Sequence, residues 1–235
     1  MLKTHVFFII PAYNEERVIG KVIESLRRQG YERIIIVNDG SADRTAEVVE
    51  QYPVLLLNHV INRGQGAALH TGIRVAARAE ECEYIVTFDA DEQHQLDDVE
   101  GMLNFLEHSD YDVILGSRFM GKPNETLPQA RKIVLKAAAV FLRFVYGLKI
   151  TDAHNGLRVF RKSIAAQLCP TIDDMTHASE MLYLIKKYHL RYAEFPVEII
   201  YSDYSLQKGQ KTSYFLRLGI STIFHKLTLL FFERK

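Results

Sequence analysis

The sequence predicts an α/β protein in which an open, mostly parallel, twisted sheet carries helices on both faces. Short hydrophobic runs alternate with helix-patterned segments through the first half of the 235-residue chain. Three of these runs pass directly into an acidic or amide-rich turn that opens the next helix. Such alternation is typical of parallel strands joined by crossover helices. The predicted strands are His5–Ile10, Ile34–Asn38, Val54–Leu57, Tyr84–Phe88 and Asp112–Gly116.

Helices are predicted between these strands. Ser41 and Asp43 are candidate N-caps of the second helix, and Gly30 closes the first where a positive φ is expected. The first strand-to-helix turn lacks the Gly-x-Gly-x-x-Gly pattern that lets a pyrophosphate approach the backbone, so a nicotinamide-type dinucleotide fold is set aside. The predicted helices are Glu15–Gln29, Ala42–Gln51, Ala67–Ala79 and Leu96–His108.

The second half of the chain contains two amphipathic segments. A helix is predicted from Pro128 to about Tyr146, and the stretch from Thr126 to Thr151 holds five basic residues and no acidic one. This pattern suits an anionic membrane surface or a lipid phosphate, and the alternative is a core helix with solvated basic residues. The segment Ser213–Lys235 has an apolar helical stripe that would lie in a membrane interface, dock on a membrane protein or cap its own domain.

Charge is unevenly distributed although the formal net charge is zero. Residues 1–110 contain 10 Lys or Arg and 19 Asp or Glu, whereas residues 111–235 contain 19 and 10. The asymmetry predicts an acidic, metal-binding half and a basic half facing an anionic ligand or lipid surface, with no nucleic-acid partner. Cys82 and Cys169 show no pairing or metal-ligand pattern, which fits a reducing cytosol. No window reaches roughly 18 uninterrupted apolar residues, so the chain is not expected to cross a membrane by itself.

The acidic turn after the fourth predicted strand is the strongest candidate for a functional site. Asp89 and Asp91 stand two residues apart at the end of an apolar run, and Gln93 follows. Carboxylates at this spacing can share a hard divalent cation that grips a diphosphate, and the oxygen ligands favour Mg²⁺ or Mn²⁺ over Zn²⁺. The turns Pro11–Glu16 and Asn38–Ser41 should meet this one at the carboxyl edge of the sheet, where open α/β folds bind ligands.

Four segments together resemble the motifs of a known family. They are Pro-Ala-Tyr-Asn-Glu-Glu at 11–16, Asn-Asp-Gly-Ser at 38–41, Asn-Arg-Gly-Gln-Gly-Ala at 62–67 and Asp-Ala-Asp-Glu-Gln-His at 89–94. In order and spacing they resemble the family 2 inverting glycosyltransferases, and most of all the dolichyl- or polyprenyl-phosphate sugar synthases. The resemblance covers about Ile9 to Lys211. It implies a single GT-A-like catalytic domain over residues 1–212, with a nucleotide-sugar-binding half (1–118) and an acceptor half (119–212), followed by the amphipathic helix at 213–235.

The resemblance also implies roles for individual residues. Asp91, Arg118 and Asp152 would be catalytic, and Arg118 and Arg131 would face the acceptor phosphate. The Mg²⁺ or Mn²⁺ ion would be held by Asp89, Asp91 and Gln93. The donor would be bound by Pro11, Ala12, Tyr13, Glu15, Asp39, Gly66, Asp89, Ala90, Asp91, Lys208 and Lys211.

Two departures from the family pattern concern the phosphate-binding loop. Lys208-Gly209-Gln210-Lys211-Thr212 resembles the family's Lys-Gly-Glu-Ser-Lys loop, but Lys-Thr replaces the Ser-Lys order. No Arg precedes this loop, since Tyr204–Gln207 stands where a phosphate-binding Arg is often found. A third departure is Asn155, which replaces the usual Ser of the Asp-x-x-Ser-Gly-Phe segment.

The acceptor decides whether the reaction needs a general base. A sugar hydroxyl must be deprotonated as it attacks, whereas a phosphate monoester, with a second pKa near ~6, is already a dianion at neutral pH. The basic second half favours a polyprenyl phosphate acceptor, and Asp152, His94 and Glu180 are the candidate bases if one is needed. The alternatives are a glycan hydroxyl acceptor and a catalytically silent nucleotide-sugar-binding subunit.

The predicted partners follow from this reaction. They are a UDP- or GDP-linked hexose or N-acetylhexosamine, a polyprenyl phosphate and a membrane surface. The enzyme is expected to be cytoplasmic and peripheral on the inner face of the cell membrane, with a small membrane protein holding Ser213–Lys235. That helix could equally serve a homo-oligomer, so the oligomeric state stays open.

Overall fold

A computed structural model describes residues 2–121, 129–174 and 176–200. It confirms the predicted α/β architecture, with a seven-stranded sheet and helices on both of its faces. The strands are β1 (Val6–Ala12), β2 (Ile34–Asn38), β3 (Leu55–Asn58), β4 (Tyr84–Thr87), β5 (Val113–Ser117), β6 (Arg158–Arg161) and β7 (Tyr192–Pro196).

The helices lie between these strands in the chain. They are α1 (Ile19–Arg28), α2 (Thr45–Val49), α3 (Gln65–Ala76), α4 (Leu96–Glu107), α5 (Gln129–Tyr146) and α6 (His177–Lys187), and short 3-10 turns cover Lys3–His5 and Lys162–Ile164. Gly30 follows α1 with φ of 83°, the positive value expected there.

The order of strands across the sheet is β3-β2-β1-β4-β6-β5-β7. All neighbours pair in parallel except β6, which runs antiparallel to both β4 and β5. The strands β6 and β7 were not predicted from the sequence. Side chains of β1 alternate between two cores: Phe8 and Ile10 pack on the side of α1 and α4, and Phe7 and Ile9 pack on the side of α3 and α6.

The first turn differs from its prediction. Strand β1 continues through Pro11 and Ala12, which pair with Val37 and Asn38 of β2, and α1 begins at Ile19 rather than near Glu15. The intervening residues are held outside the helix by side chains of the second turn. Backbone N–H groups of Asn14, Glu15 and Glu16 donate to Ser41 Oγ (2.9 Å), Thr45 Oγ1 (2.7 Å) and Asp43 Oδ2 (3.1 Å).

These contacts also explain why α2 is shorter than predicted. Ser41 and Asp43 were predicted as N-caps, but the helix begins at Thr45 with Arg44 in the cap position. Ser41 Oγ and Asp43 Oδ2 tie the two turns together, and Asp43 Oδ1 accepts the N–H of Thr45 (3.0 Å) at the start of α2. The turns after β1 and β2 are therefore one hydrogen-bonded unit.

Two predicted elements involve residues beyond the described ranges. The start of the fifth helix at Pro128 lies outside the described residues, and so does the amphipathic helix at Ser213–Lys235. Within the described residues, none of the helices is long and apolar enough to cross a membrane.

Candidate active site

The candidate active site lies at the carboxyl edge of β1, β2 and β4, where the three predicted turns come together. Asp39 N–H donates to the Ala12 carbonyl (2.8 Å) and Phe88 N–H donates to the Ile9 carbonyl (3.0 Å), so the strand ends are in register. The side chain of Tyr13 is exposed at this edge, whereas those of Ala12, Glu15 and Ala90 are buried. The predicted donor-binding turn therefore presents Tyr13 toward solvent.

Asp39 organises the neighbouring loop. It is only 2% exposed, and its carboxylate accepts hydrogen bonds from the backbone N–H groups of Arg63 (3.0 Å) and Gly64 (2.6 Å). His59 Nδ1 lies 2.7 Å from Asp39 Oδ1. In the structure, the carboxylate predicted to bind the nucleotide base thus fixes the loop 59–64.

Gly66 is placed by chain packing. A Cβ at Gly66 would lie 1.9 Å from the Ile172 carbonyl oxygen, so any side chain would collide with backbone. Ala67 N–H donates to the Asp173 carbonyl (3.1 Å), and Arg63 forms an ion pair with Asp173 (2.9 Å). Gly66 was predicted to contact the donor. In the structure the backbone of residues 172–173 packs so close to Gly66 that no side chain fits there.

Asp89 is held by two side chains. Gln65 Nε2 donates to its Oδ1 (2.9 Å), and His94 Nε2 lies 2.9 Å from its Oδ2. Burial by itself raises the pKa of Asp89, but the His94 hydrogen bond and the charge of Arg158 outweigh it, so the pKa is held below its ordinary value. Asp89 is therefore an ionised, oriented carboxylate at neutral pH.

Asp91 has the opposite electrostatic environment. Burial and the negative charge of Asp89 raise its pKa to about 6. Among the described residues, no group of three His, Cys, Asp or Glu side chains converges on a metal position. A fully protein-made cage is not needed for Mg²⁺, which keeps several waters and shares substrate phosphates with one or two carboxylates. Asp89 and Asp91 fit such a cation, because a bound cation would offset the repulsion that disfavours the ionised form of Asp91 beside Asp89.

Gln93, the third predicted metal ligand, connects this turn to a distant segment. Its N–H donates to Asp91 Oδ1 (3.3 Å), and its carbonyl accepts from Ile200 N–H (3.0 Å). His94 forms a β-bridge with Ile199. The predicted donor-binding residues Lys208 and Lys211 lie outside the described residues.

Arg118 and Asp152 form a buried ion pair. Arg118 Nε donates to Asp152 Oδ2 (2.6 Å) and its Nη2 donates to Oδ1 (2.7 Å), with side chains 7% and 0% exposed. Burial alone raises the pKa of Asp152, but the Arg118 charge holds it below its ordinary value. Asp152 is therefore ionised and already engaged by a bidentate partner.

The segment around Asp152 is fixed from strand β7. The Glu194 carboxylate accepts hydrogen bonds from the backbone N–H groups of Thr151 (2.7 Å) and Asp152 (3.0 Å). Ser117 Oγ lies 2.6 Å from Thr151 Oγ1, which ties the same segment to the end of β5. Arg118 and Asp152 thus meet because β5 and β7 are neighbours in the sheet.

The other two candidate bases are also engaged. Glu180 accepts hydrogen bonds from the N–H groups of Thr171 (2.9 Å) and Ile172 (2.9 Å), so it shapes the loop that packs against Gly66. His94 is bound to Asp89. Arg131 lies in α5, but its side chain is outside the described part of the structure.

Three residues around Asp89 were not given roles from the sequence. Gln65 binds Asp89 directly, Arg158 is a buried cation that lowers the pKa of Asp89, and Gly156 is packed against the Asp89 carboxylate. Burial lowers the pKa of Arg158 to about 10, and its Nη1 contacts the Met181 sulfur (3.3 Å). Gln65 and Gly156 belong to motifs that are recognisable in the sequence, but only the folded chain brings those motifs together.

Gly156→Ala is expected to lower turnover about a hundredfold, since misplacing a reactive group by about 1 Å can cost that much. A Cβ at this position would lie 2.3 Å from Asp89 Oδ2 and would displace the carboxylate. Steady-state kinetics of the purified variant measure the loss. Gly20→Ala is the matched control, because its Cβ would meet the outer end of the Tyr52 side chain, with the hydroxyl at 2.9 Å, and not a carboxylate of the site. Wild-type turnover in Gly156→Ala would contradict this role for the Asp89 position.

The sheet order, the crossover helices and the acidic turn at the carboxyl edge are those of a GT-A-like fold. A family model described as glycosyl transferase family 2 matches residues 7–169. The chain therefore belongs to glycosyl transferase family 2 and is a glycosyltransferase.

Similar proteins agree with this class. An uncharacterised protein of Methanocaldococcus jannaschii is 35% identical over 210 residues, covering 88% of this chain and 86% of that protein. The UDP-N-acetylglucosamine–dolichyl-phosphate N-acetylglucosaminyltransferase of Methanococcus voltae is 30% identical, covering 96% of this chain and 95% of that enzyme.

A solved structure shows the same fold. Glucosyl-3-phosphoglycerate synthase of Mycobacterium tuberculosis, in complex with Mn²⁺, uridine diphosphate and phosphoglyceric acid, superposes with a TM-score of 0.68 at 17% identity. The match covers 95% of this chain and 78% of that one.

Proposed function

We propose that this glycosyltransferase moves a hexose or N-acetylhexosamine from a UDP- or GDP-sugar to a polyprenyl phosphate, with Mg²⁺ or Mn²⁺ as cofactor. The similarity to a dolichyl-phosphate N-acetylglucosaminyltransferase over 96% of this chain carries this proposal, and two candidate bases are already engaged: Asp152 is paired with Arg118 and Glu180 with backbone N–H groups. A hydroxyl acceptor would need a general base, whereas a phosphate acceptor needs only positioning and charge neutralisation.

The donor site is proposed at the acidic turn. Asp89, Asp91 and Gln93 would hold the cation, and the cation would act as a Lewis acid on the diphosphate. Tyr13 and the turn residues Pro11, Ala12, Glu15 and Ala90 would seat the nucleotide, with Asp39 and Gly66 fixing the adjacent loop. The M. voltae relative is named for UDP-N-acetylglucosamine, and the M. tuberculosis structure contains Mn²⁺ and uridine diphosphate. UDP-N-acetylglucosamine with Mn²⁺ is therefore the first donor to test.

The reaction is proposed to be a direct displacement. A phosphate oxygen of the acceptor forms a bond to the anomeric carbon while the bond to the diphosphate breaks, and its electron pair leaves with the nucleotide, so the configuration inverts. Arg118, oriented by Asp152, and Arg131 would bind the acceptor phosphate. Lys208 and Lys211 would neutralise the diphosphate, as the resemblance of their segment to the family's phosphate-binding loop implies.

The acceptor lipid implies attachment to a membrane. We propose that the enzyme is peripheral on the inner face of the cell membrane, with Ser213–Lys235 in the interface, on a small membrane protein or in a homo-oligomer. Fractionation of cells that express the chain alone tests the first of these arrangements, since dependence on a membrane protein, or use of the helix in an oligomer, would remove its direct contribution to membrane binding.

The test of the reaction is product formation from a panel of UDP- and GDP-sugars with dolichyl or undecaprenyl phosphate in detergent. A lipid-linked monosaccharide is expected, and EDTA is expected to lower its rate at least about a hundredfold until Mn²⁺ or Mg²⁺ is restored. EDTA-resistant turnover would contradict the metal requirement. Transfer to a glycan hydroxyl but not to a lipid phosphate would contradict the proposed acceptor, and nucleotide binding without any turnover would favour a non-catalytic subunit.

A further inference from the structure

His59 links the turn after β2 to helix α3. Its Nδ1 lies 2.7 Å from Asp39 Oδ1, and its Nε2 lies 2.9 Å from Thr71 Oγ1. Because a carboxylate accepts hydrogen bonds, the tautomer is assigned with Nδ1–H as the donor to Asp39, and Nε2 then accepts from the Thr71 hydroxyl. The side chains of His59 and Asp39 are 12% and 3% exposed, so the link is shielded from water. Thr71 thus fixes the imidazole ring whose other side holds Asp39.

The Asp39 carboxylate is almost saturated with hydrogen-bond donors. A carboxylate offers about four lone pairs, two on each oxygen. Oδ1 accepts from His59 Nδ1–H and from Arg63 N–H (3.0 Å), which occupies both of its lone pairs. Oδ2 accepts from Gly64 N–H (2.6 Å) and shares the Arg63 N–H at a longer distance (3.2 Å). One lone pair, on Oδ2, therefore remains for a ligand.

The loop that supplies these donors is packed tightly on the turn after β2. Gly40 has φ of 67°, and a Cβ there would lie 2.6 Å from backbone atoms of residues 61–62. The N–H of His59 donates to the Asn38 carbonyl (2.9 Å). The set of donors around Asp39 is therefore built into the fold, and a ligand meets a carboxylate whose orientation is already fixed.

We propose that His59 is a positioning residue that limits Asp39 to one hydrogen bond from the nucleotide base, and that this limit selects uracil over guanine. The inference rests on the proposed function, since it takes the turn at Asp39 as part of the nucleotide site. Uracil presents a single N–H on its pairing edge, between two carbonyl oxygens. Guanine presents N1–H and the N2 amino group side by side, which a carboxylate binds with both of its oxygens. Because His59 occupies Oδ1, the second guanine donor would stay unpaired, and a buried unpaired donor is costly.

Calorimetric titration of the full chain with UDP and with GDP, each in the presence of Mn²⁺, tests this limit without lipid or turnover. The wild type should bind UDP at least about tenfold more tightly than GDP, as expected for one unpaired donor. His59→Phe keeps a ring and removes the donor, so Oδ1 becomes available to guanine and the two dissociation constants should become about equal. His59→Asn places an amide N–H at the Nδ1 position and should keep the preference for UDP. Thr71→Val, which removes only the support of the ring, should give an intermediate preference.

The chain contains a matched histidine–carboxylate pair away from the site. His5 Nδ1 lies 3.0 Å from Glu83 Oε1, and His5 directly precedes β1, at the opposite edge of the sheet from Asp39. His5→Phe should bind both nucleotides like the wild type. Circular dichroism of each variant identifies a folding defect, and the comparison of Thr71→Val with the wild type tests the proposal even where His59→Phe does not fold, because valine preserves the volume of threonine. In the transfer assay, His59→Phe should raise KM for the UDP-sugar with little change in kcat, whereas damage to the fold would lower kcat as well.

Three outcomes would overturn the proposal. They are equal or tighter binding of GDP by the wild type, an unchanged preference for UDP in folded His59→Phe, and the same loss of preference in His59→Asn as in His59→Phe. Absence of binding of either nucleotide to the wild type would overturn the proposed function as well. A preference for UDP that depends on His59, without transfer to any lipid phosphate, would contradict the proposed reaction alone, so the two failures are distinguishable.

Discussion

Asp91→Asn is expected to lower glycosyl transfer at least about a thousandfold and, at the same time, to raise the melting temperature of the unliganded protein. The loss of rate follows from the loss of a charged cation ligand at the diphosphate. The gain in stability follows from the pKa of Asp91, which burial and the Asp89 charge raise to about 6. Ionised Asp91 therefore lowers the free energy of unfolding. The whole of this loss is present above about pH 6, and none of it is present below the pKa that the same carboxyl has in the unfolded chain.

The expected rise is about 2–4 °C at pH 7.5 and should shrink as the pH falls toward 4, as differential scanning fluorimetry can measure. Mn²⁺ with UDP should stabilise the wild type but not the variant, because ligand binding to the native state raises apparent stability. Asp97→Asn, an exposed acid in the first turn of α4, is the control and should change neither rate nor stability appreciably. A variant that retains turnover would refute the assignment of Asp91 to the donor site.

Asp152→Ala is expected to destabilise the protein by about 3–5 kcal/mol, because it leaves the buried Arg118 guanidinium without its counter-ion. The double variant Arg118→Met/Asp152→Leu should recover most of that stability and none of the activity. Urea unfolding monitored by circular dichroism gives the stability, and the lipid-phosphate assay gives the activity. Equal instability of the single and double variants would show that the cost is not an unpaired charge.

The chain contains a matched exposed pair for comparison. Arg191 Nη2 donates to Asp112 Oδ1 (3.0 Å) and its Nε donates to Asp112 Oδ2 (3.2 Å), which is the same bidentate geometry with Arg191 59% exposed. Asp112→Ala should therefore cost much less stability than Asp152→Ala. The two substitutions remove the same group from the same partner type and differ chiefly in burial.

Local sequence patterns predicted most of the sheet because its first strands are short, apolar and separated by helix signals. They did not predict β6 or the start of α1. The run Arg158–Arg161 contains two arginines and does not resemble a central strand, yet it is paired on both sides. Residues 14–16 have helix-forming acids, but their N–H groups are captured by Ser41, Thr45 and Asp43 from a turn some 27 residues away. Both differences arise from tertiary contacts.

The candidate site was likewise predicted only in part. The acidic turn was predicted because carboxylates two residues apart after a strand have a recognisable chemistry. The partners of these carboxylates could not be predicted, since Gln65 and Gly156 reach Asp89 from segments 24 and 67 residues away in the chain. The engagement of Asp152, Glu180 and His94 is likewise a property of the fold, and it bears directly on the choice of acceptor.

The position of β6 has a consequence for how the protein is made. Strand β5 is bonded only to β6 and β7 among the described strands, and β6 also closes the free edge of β4. A nascent chain that ends near residue 118 therefore leaves one edge of β4 and both edges of β5 without their partners, which favours intermolecular pairing until about 45 further residues bring in β6. Synthesis of β6, and then of β7 for the second edge of β5, rather than completion of the first half, is what protects the sheet from aggregation.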